Sequence, residues 1–140
     1  MLPLPLSFAL GGGMPRIILL VEHTPALRTV VRLHLGRNGG SSEFIEAVDV
    51  TAALSAMRQR DVHLVIADVR SGAHGRALVA ALRGGEPAKD RPVPIVVVAA
   101  RPSRELRDAV ARAGACALVH KPVTAARLRA AIDSLLSAKP

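Results

Sequence analysis

The sequence predicts one α/β domain, built on a parallel sheet with helices on both faces. Short apolar runs alternate five times with amphipathic segments rich in Ala, Leu and Arg between residues 16 and 137. Alternation of this kind is typical of βαβ units joined by right-handed crossovers. Half of the 140 residues are apolar, but Trp and Tyr are absent and Phe occurs twice. The core therefore consists of Val, Leu, Ile and Ala, which suits buried parallel strands.

Each predicted strand is a short apolar run. In chain order the strands cover residues 16–21, 43–47, 62–67, 93–98 and 116–120. The second strand shows only weak alternation of apolar and polar residues. The fourth is almost wholly apolar, which favours a central place in the sheet. Pro94 lies near the start of that strand, where a missing N–H is tolerated.

Each predicted helix has a recognisable start or end. Thr24 before Pro25 caps the first helix, which runs toward Gly36, and Asp49 or Thr51 caps the second. A glycine-rich loop over 69–75 precedes the third helix. The fourth opens after 101–103 and stops at Gly114, and Thr124 caps the fifth. The apolar faces are formed by Leu27, Val30, Val31, Leu33, Leu35, Ala53, Leu54, Met57, Leu78, Val79, Leu82, Leu106, Val110, Ala113, Leu128, Ala131, Ile132, Leu135 and Leu136.

The net charge of +8 comes almost entirely from arginine. The arginines are scattered rather than clustered, and no aromatic residues are interleaved with them to stack on bases, which argues against nucleic-acid binding. A basic accessory protein that contacts nucleic acid is therefore the remote alternative. Cys116 is the only cysteine, which excludes an internal disulfide and fits a reducing cytoplasm. It lies in an apolar run, so we expect a buried, inert thiol.

The two ends of the chain offer little further structure. Residues 1–10 are apolar but contain two prolines, lack the basic start of a signal peptide and are too short to span a bilayer. We expect residues 1–15 to be a disordered leader, with Met14 as an alternative translation start, and we expect no membrane association. The chain ends within a few residues of its fifth helix, so we expect no output domain.

Polar side chains follow three of the predicted strands. Glu22 and His23 follow the first strand, Asp68 the third, and Lys121 the fifth. In an open parallel sheet, ligands bind just outside the carboxyl ends of the strands. We therefore expect Glu22, Asp68 and Lys121 to meet at one edge. Enzyme motifs are missing, since Gly11-Gly12-Gly13 precedes the first strand and no Walker loop, Gly-x-Ser-x-Gly or metalloprotease motif occurs.

The order and spacing of three motifs over residues 16–137 resemble the receiver domain of two-component response regulators. These motifs are Leu20-Val21-Glu22, Leu64-Val65-Ile66-Ala67-Asp68, and Gly114-Ala115 followed by Lys121-Pro122. The resemblance implies a flavodoxin-like (βα)5 three-layer sandwich, with a parallel five-stranded sheet of order 2-1-3-4-5. It also implies a bacterial, cytoplasmic regulatory phosphoacceptor rather than an enzyme.

The resemblance further implies a role for each residue at the sheet edge. Asp68 matches the phosphoacceptor, and Lys121 matches the lysine that pairs with the phosphoryl oxygens. Mg²⁺ would be held by Glu22, Asp68 and the backbone carbonyl of Arg70. The Lys121-Pro122 bond is then a candidate for the cis form.

The chain departs from the family pattern at three positions. His23 replaces a second acid near the site, and a neutral imidazole is a poor ligand for Mg²⁺. Ala99 stands where a Ser or Thr hydroxyl normally binds the phosphoryl group. Leu118 stands where an aromatic side chain normally reports the switch. These departures favour, as an alternative, a pseudo-receiver that binds partners or dimerises without phosphorylation.

The resemblance implies protein partners of three kinds. A histidine kinase or phosphotransfer protein would supply the phosphoryl group, and a downstream protein target would receive the signal. A homodimer would form through the face made by the fourth helix, fifth strand and fifth helix.

Overall fold

Five strands alternate with five helices along the chain. The computed structural model describes residues 17–21, 24–39, 42–70, 72–87 and 92–137, with side chains throughout except at 34–39 and 72. The strands are β1 (Ile17–Val21), β2 (Glu43–Ala47), β3 (Leu64–Val69), β4 (Ile95–Ala99) and β5 (Cys116–His120). The helices are α1 (Pro25–Gly39), α2 (Val50–Gln59), α3 (Gly72–Gly85), α4 (Arg104–Ala113) and α5 (Ala125–Ser137). The expected leader, residues 1–15, lies outside the described residues.

The strands form one parallel sheet of order β2-β1-β3-β4-β5, as predicted. Every residue of β3 and of β4 is buried. These strands are covered on both faces, which explains their almost continuous apolar sequence. The carboxyl ends of β3, β4 and β5 consequently lie side by side.

Two hydrophobic cores fill the space between the sheet and the helices, because alternate strand residues point to opposite faces. One core joins Leu19, Val65 and Val97 to α2, α3 and α4. The other joins Leu20, Ile66 and Val98 to α1 and α5. The molecule is thus the expected three-layer sandwich. No helix among the described residues is long and apolar enough to cross a bilayer.

Side-chain caps fix the starts of four helices. The Thr24 hydroxyl accepts from the Leu27 N–H at 3.1 Å, and the Thr124 hydroxyl accepts from the Arg127 N–H at 3.1 Å. Ser103 caps α4 by accepting from Leu106. Asp49, rather than Thr51, caps α2, since its carboxylate accepts from the Ala52 N–H at 2.9 Å.

The predicted loop over residues 69–75 was wrong at both ends. Val69 is the last residue of β3, and α3 begins at Gly72. The glycines belong to a packed helix start: a Cβ added at Gly75 would lie 2.7 Å from Leu106 Cδ1 and 3.2 Å from Val69 Cγ2. The absence of a side chain therefore lets α3 approach α4 and the sheet closely. The helix α1 likewise continues to Gly39, past its expected end near Gly36.

The edge of the sheet opposite these strand ends is held by Arg83 of α3. Its guanidinium donates to the backbone carbonyls of Val93 (2.8 Å), Ala113 (3.2 Å), Gly114 (2.6 Å) and Ala115 (3.0 Å). It also pairs with Glu86 at 2.7 Å. Gly114 and Ala115 both have positive φ, 71° and 47°. Arg83 thus ties a strained turn before β5 to the start of β4.

Candidate functional site

The strand β3 carries one charged residue into the interior, Asp68. It is 3% exposed and is the only buried polar or charged residue in the described part of the chain. The sequence predicted that the third strand ends before Asp68, but the strand continues through Asp68 to Val69. Asp68 therefore lies within the sheet ladder, paired with Val98 of β4. Its carboxylate is held by a rigid strand rather than by a loop.

Lys121 reaches Asp68 across the intervening strand. The Lys121 Nζ lies 2.8 Å from Asp68 Oδ1, and the two side chains are 32% and 4% exposed. The strands β3 and β5 are two ladder spacings apart, about 9.6 Å, which a lysine stem can bridge. The backbone of Lys121 is fixed because its N–H donates to the Ala99 carbonyl at 2.9 Å. The Lys121-Pro122 bond is cis, as expected.

The second oxygen of Asp68 has no partner among the residues that the structure describes. Oδ2 is buried and accepts no hydrogen bond from any described group. A buried acceptor left unsatisfied costs about 1–3 kcal/mol, and more when it is charged. An orphaned carboxylate oxygen at a strand end suits a hard cation, since Mg²⁺ prefers oxygen ligands. The residues present therefore fit a magnesium ion at this position.

Two of the residues expected around such an ion lie outside the described residues: Glu22 and His23. The strand β1 ends at Val21, which is paired with Ala67, the neighbour of Asp68. Among the described residues no group of three or more His, Cys, Asp or Glu side chains is arranged to hold a metal. Of the expected metal ligands, Asp68 and Arg70 lie in the described part of the chain.

The turn after β3 is anchored by a contact that the sequence did not reveal. The Arg70 N–H donates to His74 Nδ1 at 3.2 Å, four residues along the chain. His74 falls in the loop predicted over residues 69–75, but the structure places it in the first turn of α3. The contact orients the peptide group between Val69 and Arg70, which directly precedes the Arg70 carbonyl that the resemblance assigns to the metal. The sequence feature that could have indicated this contact is a polar side chain, His74, four positions after Arg70.

The two expected switch positions lie in different environments. Ala99 ends β4, is 3% exposed, and is paired with Val69 and His120 at the same edge as Asp68. Its side chain is a methyl group and offers no hydrogen-bond donor. Leu118 is half-buried in the middle of β5, opposite Val97, and packs against the core beneath α2, α3 and α4. Neither position provides a polar group to the site.

The remaining titratable groups with shifted pKa values lie away from this edge. Burial raises the pKa of the Cys116 thiol to about 11, and the nearby Arg83 opposes this only partly. A hydrogen bond from Arg60 lowers the pKa of the exposed Glu43 carboxyl and raises that of Arg60 itself. Cys116 is half-buried rather than fully buried as predicted, and its raised pKa disfavours the reactive thiolate. Glu43 and Arg60 form a surface ion pair.

Comparison with known proteins identifies the class. The family model described as "Response regulator receiver domain" matches residues 18–133. The chain belongs to this family. Receiver domains are the regulatory phosphoacceptors of two-component signalling.

Individual relatives agree with this assignment. The chain is 30% identical to chemotaxis protein CheY-3 of Vibrio cholerae over 119 residues, 84% of this chain and 89% of that protein. It superposes on a response regulator from Thermotoga maritima with a TM-score of 0.73 at 22% identity, covering 89% of this chain and 99% of the other. A receiver domain of a sensor histidine kinase from Pseudomonas aeruginosa gives a TM-score of 0.68 at 23% identity, over 88% and 98% of the two chains. That structure contains a magnesium ion in its active-site cleft.

Proposed function

We propose that this receiver domain accepts a phosphoryl group on Asp68 from a histidine kinase or phosphotransfer protein and signals through protein contacts. The observation that supports this best is the Asp68 carboxylate itself. One oxygen is 2.8 Å from Lys121 Nζ, and the other is buried at the carboxyl end of β3 with no hydrogen-bond partner in the described part of the chain. An apolar site with a single oriented carboxylate suits nucleophilic attack on phosphorus.

The proposed chemistry is transfer from a phosphohistidine nitrogen to the carboxylate. An oxygen of Asp68 attacks phosphorus in line, the P–O bond forms, and the P–N bond to the donor histidine breaks. The donor imidazole leaves with the electron pair and takes up a proton. Lys121 then moves from the carboxylate to the new phosphoryl oxygens, where its ammonium offsets the added negative charge.

Magnesium would be held by Asp68, by the carbonyl of Arg70 and by Glu22. When bound it neutralises charge on the equatorial phosphoryl oxygens. The Arg70–His74 contact supports the proposal because it holds the peptide group directly before one proposed ligand, the Arg70 carbonyl. We expect this reaction to take place in the cytoplasm.

Incubation with acetyl phosphate and Mg²⁺ tests the proposal by intact mass. The wild-type protein should gain about 80 Da, the mass of one phosphoryl group, and the gain should disappear with excess EDTA. Asp68→Asn should show no gain. Asp133→Asn, at an exposed acid on α5, is the matched control and should behave as wild type. A gain that persists in Asp68→Asn would place the modification elsewhere and overturn the proposal.

A pseudo-receiver is the second candidate, favoured by Ala99. The buried methyl at the end of β4 supplies no hydroxyl to hold a phosphoryl group or to move with it. In this case Asp68 and Lys121 form a permanent structural pair. The mass experiment separates the two candidates when a purified histidine kinase replaces acetyl phosphate, because a pseudo-receiver remains unmodified with both donors.

The output surface of the proposed receiver is the face formed by α4, β5 and α5. We propose that a downstream protein binds there, or that two copies meet there. A ligand shifts a conformational equilibrium only by binding the two states differently. The test is to compare sedimentation and target affinity with and without the phosphoryl group, and equal values for both forms would count against signalling by this route.

A further inference from the structure

The face of α4, β5 and α5 contains a groove along the outer side of β5. It is about 480 Å³ and lies between β5 and α5. From β5 it is lined by residues 117–120, and from α5 by Arg127, Ala130, Ala131 and Ser134. Three of the four α5 side chains are small, so another chain can approach the strand closely.

The backbone of β5 presents hydrogen-bonding groups toward this groove. The strand β5 forms an edge of the sheet in the part of the chain that the structure describes. Its bonds to β4 involve the Ala115 carbonyl and the Lys121 N–H. Since strand residues alternate in direction, the backbone groups of Leu118 face away from β4. Such an edge can pair with an added extended segment.

The charge of this face decides which occupant it favours. From residue 101 to residue 137 the sequence contains seven Lys and Arg and three Asp and Glu, a net charge of +4. Lys121 is paired with Asp68, which leaves a net charge of +3 on the rest of this segment. A second copy on a two-fold axis would bring two such basic segments together, and like-charge contact of this kind is unfavourable. An acidic segment would be attracted, both by this face and by the whole chain at +8.

Arg127 places a cation at the groove itself. It is exposed, and its Nη1 lies 3.4 Å from the His120 carbonyl on the edge of β5. A guanidinium beside a strand edge can form a paired hydrogen bond with a carboxylate of an added strand. Nucleic acid fits this groove less well, because no aromatic side chain lines it for base stacking.

We infer that the β5–α5 groove binds an acidic, extended segment of a partner protein, which pairs with the outer edge of β5 while its carboxylates contact Arg127. The inference rests on the proposed receiver function only in naming the partner of its output face. The groove is formed in the unphosphorylated protein, so binding can be tested without phosphoryl transfer.

The probe is a phage-displayed library of random twelve-residue peptides, panned on the unphosphorylated protein. Recovered peptides should be enriched in Asp and Glu. Fluorescence anisotropy of a recovered peptide then compares Arg127→Glu with Arg58→Glu, which makes the same charge change at an exposed position on α2. Arg127→Glu should weaken binding about tenfold or more, equivalent to about 1.4 kcal/mol. Arg58→Glu should weaken it less than about threefold.

A second variant tests the groove by shape rather than by charge. Ala130→Trp, at an exposed position on α5, should abolish binding without loss of thermal stability. Amide NMR shifts on adding the peptide should be confined to β5 and α5.

Equal weakening by Arg127→Glu and Arg58→Glu would overturn the inference, as would peptides without acidic enrichment. A dimer dissociated by Ala130→Trp, or duplex DNA that competes with the peptide through Arg127, would also overturn it.

The Asp68→Asn variant keeps this result separate from the proposed function. It should bind the peptide as wild type does, because the groove does not involve Asp68. Wild-type protein that binds the peptide but takes up no phosphoryl group would refute only the proposed phosphoacceptor function. Wild-type protein that takes up the phosphoryl group but binds no acidic peptide would refute only the groove.

Discussion

The ammonium nitrogen of Lys121 lies 2.8 Å from Oδ1 of Asp68, while Oδ2 of the same carboxylate is buried and accepts no hydrogen bond from the residues that the structure describes. One pair of residues thus combines a favourable ion pair with an unsatisfied acceptor. Removing one partner of a buried ion pair usually costs more than removing both, because it leaves an uncompensated charge. The two side chains should therefore be energetically coupled.

A double-mutant cycle measures this coupling. Lys121→Met should lower the free energy of unfolding by about 1–2 kcal/mol, less than for a fully buried pair because Lys121 is 32% exposed. In the Asp68→Asn background the same substitution should cost about 1 kcal/mol less. Urea unfolding supplies all four free energies.

The exposed pair Glu43–Arg60 is the control, and its coupling should stay below about 0.5 kcal/mol. Coupling at Asp68 no larger than this would contradict an ion pair in solution.

Restoring a hydroxyl at the end of β4 should accelerate phosphoryl uptake. Ala99→Thr adds one donor beside the site, and a single oriented donor commonly contributes tenfold or more to a rate. Ala99→Val adds the same number of heavy atoms without the hydroxyl and is the matched control. We expect uptake from acetyl phosphate, followed by intact mass, to be roughly tenfold faster in Ala99→Thr than in Ala99→Val. Equal rates in the two variants would show that a hydroxyl at this position does not contact the phosphoryl group.

The sequence predicted the sheet well where apolar runs end cleanly. The bounds of β2 and β5 agree with the predicted ranges, and the strand order followed from the family resemblance. The predicted third strand, residues 62–67, ends two residues before the observed strand because the charged residue Asp68 was interpreted as following its end. Tertiary burial overrides that local signal: the ladder to β4 continues through Asp68 to Val69.

The candidate site was only partly accessible from sequence. The meeting of Asp68 and Lys121 followed from strand ends that share one edge of a parallel sheet. Two other features of the site could not be predicted in this way: the lack of a described partner for Asp68 Oδ2, and the bond from the Arg70 N–H to His74. Both depend on side-chain directions, which residue spacing does not determine. The groove beside β5 depends on how closely α5 approaches the strand, for which the sequence offers no direct signal.

Arg83 should contribute strongly to stability although it is far from the phosphoacceptor. Its guanidinium bonds four backbone carbonyls and Glu86, and its side chain is 16% exposed. Arg83→Met should lower the free energy of unfolding by about 2–4 kcal/mol, because the partly buried carbonyls of Val93 and Ala113 and the Glu86 carboxylate lose the guanidinium donor. Arg83→Lys keeps the charge but not the fork geometry and should lose an intermediate amount. The control is Arg112→Met, whose exposed guanidinium bonds only the Asp108 carbonyl within α4; urea unfolding should place it within about 0.5 kcal/mol of wild type. Similar losses for both Met variants would show that the network around Arg83 is not stabilising.

The thiol of Cys116 provides a pH-dependent test of burial at the start of β5. Burial raises its pKa from 9.0 to about 11. At pH 8 the thiolate fraction should then be about a hundredfold smaller in the folded chain than in the unfolded chain, since each pKa unit is a factor of about ten. The folded thiol keeps a proton that the unfolded thiol loses, so its contribution to stability is complete below pH 9 and disappears as pH rises from 9 toward 11.

Ellman's reagent measures this reactivity directly, because Cys116 is the only cysteine. The folded protein should react about a hundredfold more slowly at pH 8 than the same protein in urea, and its rate should rise about tenfold per pH unit up to pH 10. The urea-unfolded protein is the internal control, with a rate that levels off above pH 9. A folded-state rate that also levels off near pH 9 would contradict burial of the Cys116 thiol. It would mean that the start of β5 opens to solvent faster than the reagent reacts.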